Sequence, residues 1–523
     1  MKQILGNLTV ILAMLFIGQF AVEAQTTGSI AGTVIDQNGA VVPNATVTVT
    51  GEGGQEFTVT TSENGTYRIP AVANGIYTVS VTSTGFKKSI VSNVKVDVGS
   101  PTTVDSTLEV GDVAQTVEIT SGGEVLQTQT ATVGTTITGR QITETPIASR
   151  DALDLVGLLP GTATVGRPRS ASINGLPKGS LSITIDGVDV QDNLLRSSDG
   201  YFTYVRPRID AIDEVTVSTA NPGAESSGDG AVQIKFVTKR GTNDYRGGLF
   251  WQHRNTDLNA AYWYNNRDLA LLRDANGKAP RNKIILNQYG GRFGGPLPFL
   301  NFGDRGGPVF NSGKDKAFFF FNYEQFRQPE SQSRTRTVLT PEAQAGNFSY
   351  ITSSGVQTRN LFTIAAANNR LSTPDPTISA LLTRIRTAAT GAGTFTPITN
   401  NPNRQNFNFT PAGGQVRKFL ALRFDFNLTK NHSLEFVTNR QKFVPSKDFL
   451  NAQEERFPGF PSYTQGSDRN SYAAAVRSTF GNNIVNEARY AVSTGFSSFS
   501  PGISPDDFGF QGGFDLSIGG STV

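Results

Sequence analysis

Between residues 418 and 440 the chain alternates so strictly that few folds can hold it. Leu420, Leu422, Phe424, Phe426 and Leu428 share one parity, and Ala421, Arg423, Asp425 and Asn427 share the other. Successive side chains of a strand point to opposite faces, so one face is apolar while the other carries both charge signs and an amide. TKNH at 429–432 turns the chain, and SLEFVTNR follows at 433–440. Alternation alone fits a soluble sandwich strand as well as a membrane-spanning barrel strand. In the barrel reading Leu420, Leu422, Phe424, Phe426 and Leu428 face lipid, and Arg423, Asp425 and Asn427 face a water-filled lumen.

Repetition favours the barrel. Tyr472, Ala474, Val476, Ser478 and Phe480 alternate with Arg477 and its neighbours, Gly481 to Asn483 turn the chain, and Ala488, Tyr490 and Val492 alternate with Glu487 and Arg489. Roughly thirty residues rich in Pro, Ser and Gln, at 441–468, separate the two hairpins, and tight turns alternating with long loops are the asymmetry of outer-membrane barrels. The long loop is therefore expected to face outside.

At 523 residues the chain suggests three or four domains. A formal charge of +3 on a mixed background gives no footprint for nucleic acid. His253 and His432 are the only histidines and there is no cysteine. Zinc sites, thiol nucleophiles, disulfides and histidine-supported triads are thus nearly excluded by inventory, and no catalytic set, metal or cofactor is expected. Low apolar content, 37%, with 55 glycines suits short strands and loops better than helical bundles.

Lys2 precedes the apolar run 8–17, and Val22 to Ala24 offer small residues before Gln25, so residues 1–24 read as a secretory signal peptide. No later run reaches the ~18–20 apolar residues a transmembrane helix needs. Residues 25–110 alternate short β-runs with turn chemistry, including NG at 38–39 and 64–65, and predict a seven-stranded sandwich. GSIAGTV at 28–34, PNATVTV at 43–49, NGTY at 64–67 and GIYTV at 75–79 resemble the carboxypeptidase regulatory-like domain, a prealbumin-type, carbohydrate-binding-like sandwich. That resemblance implies no peptidase activity; sugar binding is one family possibility and a rigid spacer the other.

Residues 111–241 change to a glycine-rich α/β texture. Leu153, Val156 and Leu159 have helical spacing ended by Pro160, while 182–188, 214–218 and 231–237 read as strands. Asp186, Asp189 and Asp192 miss the calcium-loop pattern and read as turn formers, and GDG at 228–230 precedes a strand rather than the helix a nucleotide loop needs. LLPG at 158–161, SINGL at 172–176, TIDGVD at 184–189, DAIDEVTV at 210–217 and GAVQIKFVTKRGTN at 230–243 resemble the plug domain of TonB-dependent outer-membrane receptors. With FGGPL at 293–297, KDKAFFFFNYE at 314–324 and GNFS at 346–349, the order resembles the Oar-like branch of that family.

The resemblance implies a mainly β chain: a β-sandwich, a small α/β plug at 111–241 and a transmembrane antiparallel barrel beginning at 242. It also implies a receptor-transporter of the outer membrane that takes up a nutrient ligand, glycan and peptide among the possibilities, in contact with lipid and a TonB-type energising protein. Asn174 stands where many plugs have Arg, which puts an ion pair through that position in doubt. VAQTVEIT at 113–120 is similar to a TonB box, giving Gln115, Thr116, Val117, Glu118 and Ile119 as contacts, but reads equally as the first plug strand. A secreted or surface carbohydrate-binding adhesion protein is the alternative, and it predicts no lipid-facing belt.

Within the barrel region, Trp251 and Trp263 are candidate girdle residues, 318–321 is a double-sided aromatic run expected to meet lipid and plug, and 290–295 is glycine-rich enough to admit the plug closely. Only about eight to ten strands can be named, too few to enclose a plug, since plugged barrels use about 22. The expectation is therefore an N-terminal part of a longer barrel.

Overall fold

The computed structural model describes residues 27–501, apart from 99–100, 112–115, 121–132, 160, 164–171, 177, 193–202, 221–231, 262, 268–276, 278–283, 301–309, 332, 448–454, 461 and 482–483, together with 517–518 and 521–522. The signal-peptide segment, Gln115 and the 228–230 motif lie outside the described residues. No described helix is long and apolar enough to cross a membrane.

The N-terminal sandwich packs two sheets. Strand β1 (Thr27–Asp36) lies between β4 (Thr66–Ala73) and the short parallel strands β7 (Pro101–Thr103) and β8 (Ser106–Leu108). The second sheet runs β3 (Glu56–Thr60), β2 (Thr46–Gly51), β5 (Gly75–Thr82), β6 (Lys88–Val96) and β9 (Thr116–Thr120). Alternate residues Val47, Val49, Val79, Val81, Val94 and Val96 meet Ile30, Val34, Ile69 and Leu108 in the core. Tyr67 closes one side of it, its hydroxyl donating to the Val104 carbonyl at 2.7 Å. Among the described residues nine strands thus stand where seven were expected, and the ninth bears on the two readings left open for 113–120. Thr116–Thr120 pairs in parallel with β6, from Lys88↔Thr116 to Ser92↔Thr120, so it extends the sandwich and is not the first strand of the middle domain.

Sheet crowding gives a direct test of this core. A Cβ on Gly32 would lie 1.9 Å from the Val104 carbonyl oxygen. Gly32→Ala is expected to cost the sandwich about 1–3 kcal/mol, because backbone rather than a flexible side chain must yield. Hydrogen exchange across residues 27–108 of the full chain should quicken about 5- to 150-fold.

In the middle domain, β10 (Val133–Thr138), β11 (Leu181–Ile185), β12 (Val188–Asp189), β13 (Ile212–Ala220) and β14 (Val232–Thr238) form one sheet in the order β10-β13-β14-β11-β12, only β14 and β11 running parallel. Ile183, Ile185, Val215, Val217, Ile234 and Phe236 share the core with Leu153, Leu155 and Val156 of a 3₁₀ helix, Ala152–Leu158. The helical spacing read at 150–160 thus forms a tighter helix, capped by the Asp151 carboxylate accepting from the Leu153 N–H at 3.1 Å. The other face of this sheet, bearing Ser182, Thr184, Thr216, Gln233 and Lys235, is polar yet buried.

Seven long antiparallel strands follow in one sheet, paired in chain order: β15 (Arg246–Asn255), β16 (Ile285–Pro296), β17 (Ala317–Ser331), β23 (Ala412–Asn427), β24 (His432–Lys447), β25 (Tyr463–Phe480) and β26 (Ile484–Pro501). The last four run 16 to 18 residues, roughly 55 Å at ~3.4 Å per residue, well beyond the ~9–11 residues a bilayer crossing takes. The 441–468 loop is correspondingly shorter than its composition implied, because β24 and β25 reach into it from both sides. The tight turn at 428–431, Gly481 after β25 and residues 311–316 before β17 lie at one end of the sheet.

Sequence reading missed a module inserted between β17 and β23. It contains β18 (Arg334–Leu339), the hairpin β19 (Asn347–Thr352) and β20 (Gly355–Asn360), helices Leu361–Ala367 and Pro376–Ala389, and β21 (Gly393–Ile398) and β22 (Asn401–Phe409). The longer helix starts where the Asp375 carboxylate accepts from the Thr377 and Ile378 N–H groups, with Pro376 at its first position. Val338, Ile385, Ala389, Phe407 and Phe409 form its core, joined by Phe457 from the β24–β25 loop. Phe407 stacks on Phe409 at 5.0 Å and on Phe457 at 6.3 Å. The module and that loop therefore share the end of the sheet opposite the tight turns.

Candidate functional site between the middle domain and the sheet

The inward parity of the seven strands meets the middle domain, and what it presents is charge. Glu324 on β17 is fully buried and receives Arg208 and Arg150 from the middle domain, the latter through Nε at 3.5 Å, together with Gln288 of β16. Arg150 also pairs with Asp210, whose other oxygen accepts from Arg292 of β16 at 2.9 Å. Both middle-domain guanidiniums lie flat on inward aromatic rings, Arg150 3.6 Å above Phe250 and Arg208 4.4 Å above Phe419. A delocalised cation between a carboxylate and a π-face stays compensated where water is excluded.

A second cluster is centred on Arg423. Its guanidinium donates to Asp425 at 2.9 and 3.0 Å, to Glu435 at 2.8 Å and to the Thr238 carbonyl of the middle domain at 2.9 Å, with the Asp186 carboxylate 3.9 Å away. Arg489 continues it, donating to Glu435 at 3.0 Å, to the Asp186 carbonyl at 2.9 Å and to Glu487 at 3.1 Å, while Arg477 pairs with Glu487 at 3.0 Å. Asp186 earns its position by backbone geometry: it sits at φ +50° before Gly187 at φ +76°, a turn that folds its carboxylate back onto the Thr238 N–H at 2.8 Å. Burial pushes the Asp186 carboxyl up, against the opposing pull of Arg423 and the Thr238 hydrogen bonds.

Of the residues singled out by alternation, Arg423 and Asp425 enter this network directly. Asn427 reaches further, donating to the Gly53 carbonyl of the sandwich at 2.9 Å and to the Asp315 carbonyl at 2.8 Å. The inner face at Arg423 is packed on protein rather than water-filled. Leu420, Leu422, Phe424 and Phe426 point outward and are half-buried, and Leu428 is exposed. Thr116 to Ile119 lie apart from the network, on the sandwich edge.

Arg150, Arg208, Asp210, Glu324, Glu435 and Arg489 were not recognised as partners from sequence. Glu324 had a signal available, since it holds the same parity as Phe318, Phe320 and Asn322 in an otherwise aromatic run. Asn174, in doubt as an ion-pair position, sits at φ +50° and donates its N–H to the Gly161 carbonyl at 2.8 Å; Arg150 and Arg208 carry the pairing instead. The glycines at 290–295 also serve a different purpose from that expected. Cβ atoms on Gly290, Gly294 and Gly295 would strike the Tyr323 and Phe319 carbonyls and the Tyr245 ring, so the crowding comes from the sheet's own residues and Tyr245, not from the middle domain.

The outward parity is the reverse of the inward one. Phe293, Phe321, Leu422, Thr438, Tyr472 and Val492 stand directly opposite one another across six strands. Beside them runs the row Phe319, Phe424, Phe436, Ala474 and Tyr490. Leu249 is 92% and Trp251 70% exposed at the β15 edge. A continuous apolar face this wide is foreign to a water-soluble monomer.

Residues 237–521, more than half of the chain, match the family described as outer membrane beta barrel domain. This chain belongs to that outer-membrane β-barrel family. Its barrel domain follows a carboxypeptidase regulatory-like domain matched at 29–109. The chain is similar to the TonB-dependent transporter Oar of Myxococcus xanthus, 24% identical over 344 residues, covering 63% of this chain and 29% of the relative. It thus spans under a third of that relative's length. Solved structures with similar folds include the outer membrane transporter YddB from Escherichia coli (11% identity, 66% of this chain and 37% of that one, TM-score 0.39). The ferric enterobactin receptor PfeA from Pseudomonas aeruginosa is another (12% identity, 70% and 41%, TM-score 0.37). With TM-scores below 0.5, neither decides the fold of the barrel protein. The family match places it in the outer membrane, with its strands crossing where helices do not.

Proposed function

We propose that this outer-membrane barrel protein is a ligand receptor-transporter whose middle domain is the plug of the barrel. The observation that carries the reading is the chemistry of the interface between them. Among the described residues, the one apolar cluster shared by the two is Ala211, Phe320 and Ala421; the rest is ion pairs and amides. A permanent domain contact is usually apolar, whereas a surface that must part and re-form exposes less grease if it is built from charge. Buried polar atoms left without a partner, Asn322 Nδ2 and Oδ1, Gln288 Oε1 and Arg208 Nε, fit an interface open to transient hydration.

In this reading the outward rows, with Leu420, Leu422, Phe424, Phe426 and Leu428, meet lipid, and Trp251 lies at its border. The module and the β24–β25 loop face outside and receive a nutrient ligand, a glycan or a peptide. A TonB-type protein draws on the segment 115–119 from the tight-turn side. Thr116–Thr120 is the terminal strand of its sheet, paired with β6 on one side, so the energising partner adds as a further strand along the other side.

A photo-crosslinking residue at Val117, with the complete gene product expressed in its own outer membrane, tests the coupling. Covalent capture of the TonB-type protein is expected, and Glu118→Pro should suppress it by removing a strand donor. Undiminished capture in the proline variant, or none without it, would overturn this assignment. Detergent-only extraction with heat-modifiable gel migration is the companion expectation, against the surface-adhesion alternative, which requires release by salt.

A further inference from the structure

We infer that the N-terminal sandwich is a detachable cap on the tight-turn end of the barrel, seated on the middle domain through Glu214 and lifting away as the surrounding solution becomes more alkaline. The inference concerns the seat itself and stands whether or not the transport reading holds.

The contacts between the sandwich and the rest of the protein include several polar ones, among them a hydrogen bond between Tyr77 and Arg240. The Asn427 amide donates to the Gly53 carbonyl at 2.9 Å, the Asn243 amide to the Glu52 carbonyl at 3.1 Å, and Lys430 pairs with Glu56 at 3.0 Å. The Asn74 amide donates to Asp213 at 3.1 Å, and the Val98 N–H to Glu214 at 2.8 Å. The sandwich core and the middle-domain core are separate clusters with no residue in common. The Lys430–Glu56 pair is largely exposed and holds little. A seat of this kind is a reversible contact, not a fused core.

Glu214 is the exception. It is 2% exposed and accepts from the Val98 N–H of the sandwich and from the Thr216 hydroxyl beside it on β13, both at 2.8 Å. The charged groups around it come from both partners: Asp97 from the sandwich, itself paired with Lys95 at 2.9 Å, and Asp213 from β13, which holds Asn74 and is felt by Lys239 at the end of β14. Three carboxylates are thus gathered across one seam, and the two histidines of the chain lie elsewhere.

Burial first, and then the Asp97 charge, push the Glu214 carboxyl up to about 7 from an ordinary 4.5, against the pull of the Val98 and Thr216 hydrogen bonds. Lifting the sandwich removes Asp97 and admits water, so the group returns toward its ordinary value. A carboxyl whose value is higher in the seated state favours seating fully below about 4.5. That preference is lost as pH rises toward about 7, by up to about tenfold in the seating constant per pH unit, and is flat above it.

The chain has no cysteine of its own, so spin labels at Glu56→Cys and Lys430→Cys report the seat without background. Pulsed dipolar distance measurements on the detergent-solubilised full chain should give a short-distance population that dominates at pH 5 and shrinks through pH 7. In Glu214→Gln, which keeps the shape and stays neutral, that population should persist to pH 8. Asp97→Asn, which removes the repelling charge, should make the loss smaller and end it at a lower pH, leaving more of the short-distance population at pH 8 than in the parent. A short-distance population independent of pH in the parent, or an unchanged decline in both variants, would overturn the proposal.

Discussion

Glu324→Ala is expected to cost the contact between the middle domain and the barrel strands about 3–5 kcal/mol, since removing one partner of a buried ion pair leaves the other charge uncompensated. Here two guanidiniums are stranded. Arg208 then keeps the Ser149 carbonyl at 2.9 Å, the Phe419 ring and the more distant charge of Asp151, while Arg150 retains Asp210 and Phe250. Arg208 should therefore be the more disturbed of the two. The strand itself should survive, because Glu324 pairs by backbone with Gly290 and Phe419 regardless of its side chain. The expected result is a barrel with unchanged heat-modifiable migration whose residues 149–210 become sensitive to protease. Glu324→Gln keeps the acceptor and loses the charge, so it should fall between. Equal protease resistance of Glu324→Ala and the parent would show that the pairing contributes nothing to holding the middle domain.

Arg423→Met should have an effect of similar size, about 3–5 kcal/mol, by the opposite route. It removes the cation that Asp425 and Glu435 share and that Asp186 faces, leaving three carboxyls with Arg489 and the more distant Arg477 as cations. Repulsion then replaces attraction at the point where the β11–β12 turn meets β23. Because the uncompensated charges are acids, lowering the pH should partly restore the variant, whereas no such rescue is expected for Glu324→Ala. Adding Glu435→Gln to Arg423→Met should recover part of the loss, as contacting residues in one network are not additive. Chemical denaturation in detergent, followed by protease sensitivity of the middle domain at pH 5 and pH 8, distinguishes these outcomes. An Arg423→Met variant as resistant as the parent at both pH values would remove the cluster from any account of how the middle domain is held.

These residues also show where sequence reading reached and where it stopped. Alternation at 418–440 located β23 and β24 and told which side chains share a face. The turn chemistry from 36 to 82 placed most sandwich strands. Phe318 to Phe321 proved two-sided, with Phe318 and Phe320 buried inward and Phe321 outward. The module between β17 and β23 escaped because its strands are short and polar and its core depends on Phe457, fifty residues further along. A cluster assembled from four separated segments has no local period to betray it.

What the sequence determined by itself is local: strand parity, turns, the segregation of apolar from charged side chains and the inventory that leaves no thiol chemistry. Those follow from steric rules acting over two to five residues. The tertiary structure alone decided that Arg150 and Arg208 converge on Glu324, that Thr116–Thr120 lies against the sandwich, and that Glu214 is sealed beneath Val98. Each is a meeting of groups far apart in the chain, with the Thr116–Thr120 pairing the nearest. Buried charge is tolerated only where its partner stands, and strand parity carries no information about which distant residue that partner is.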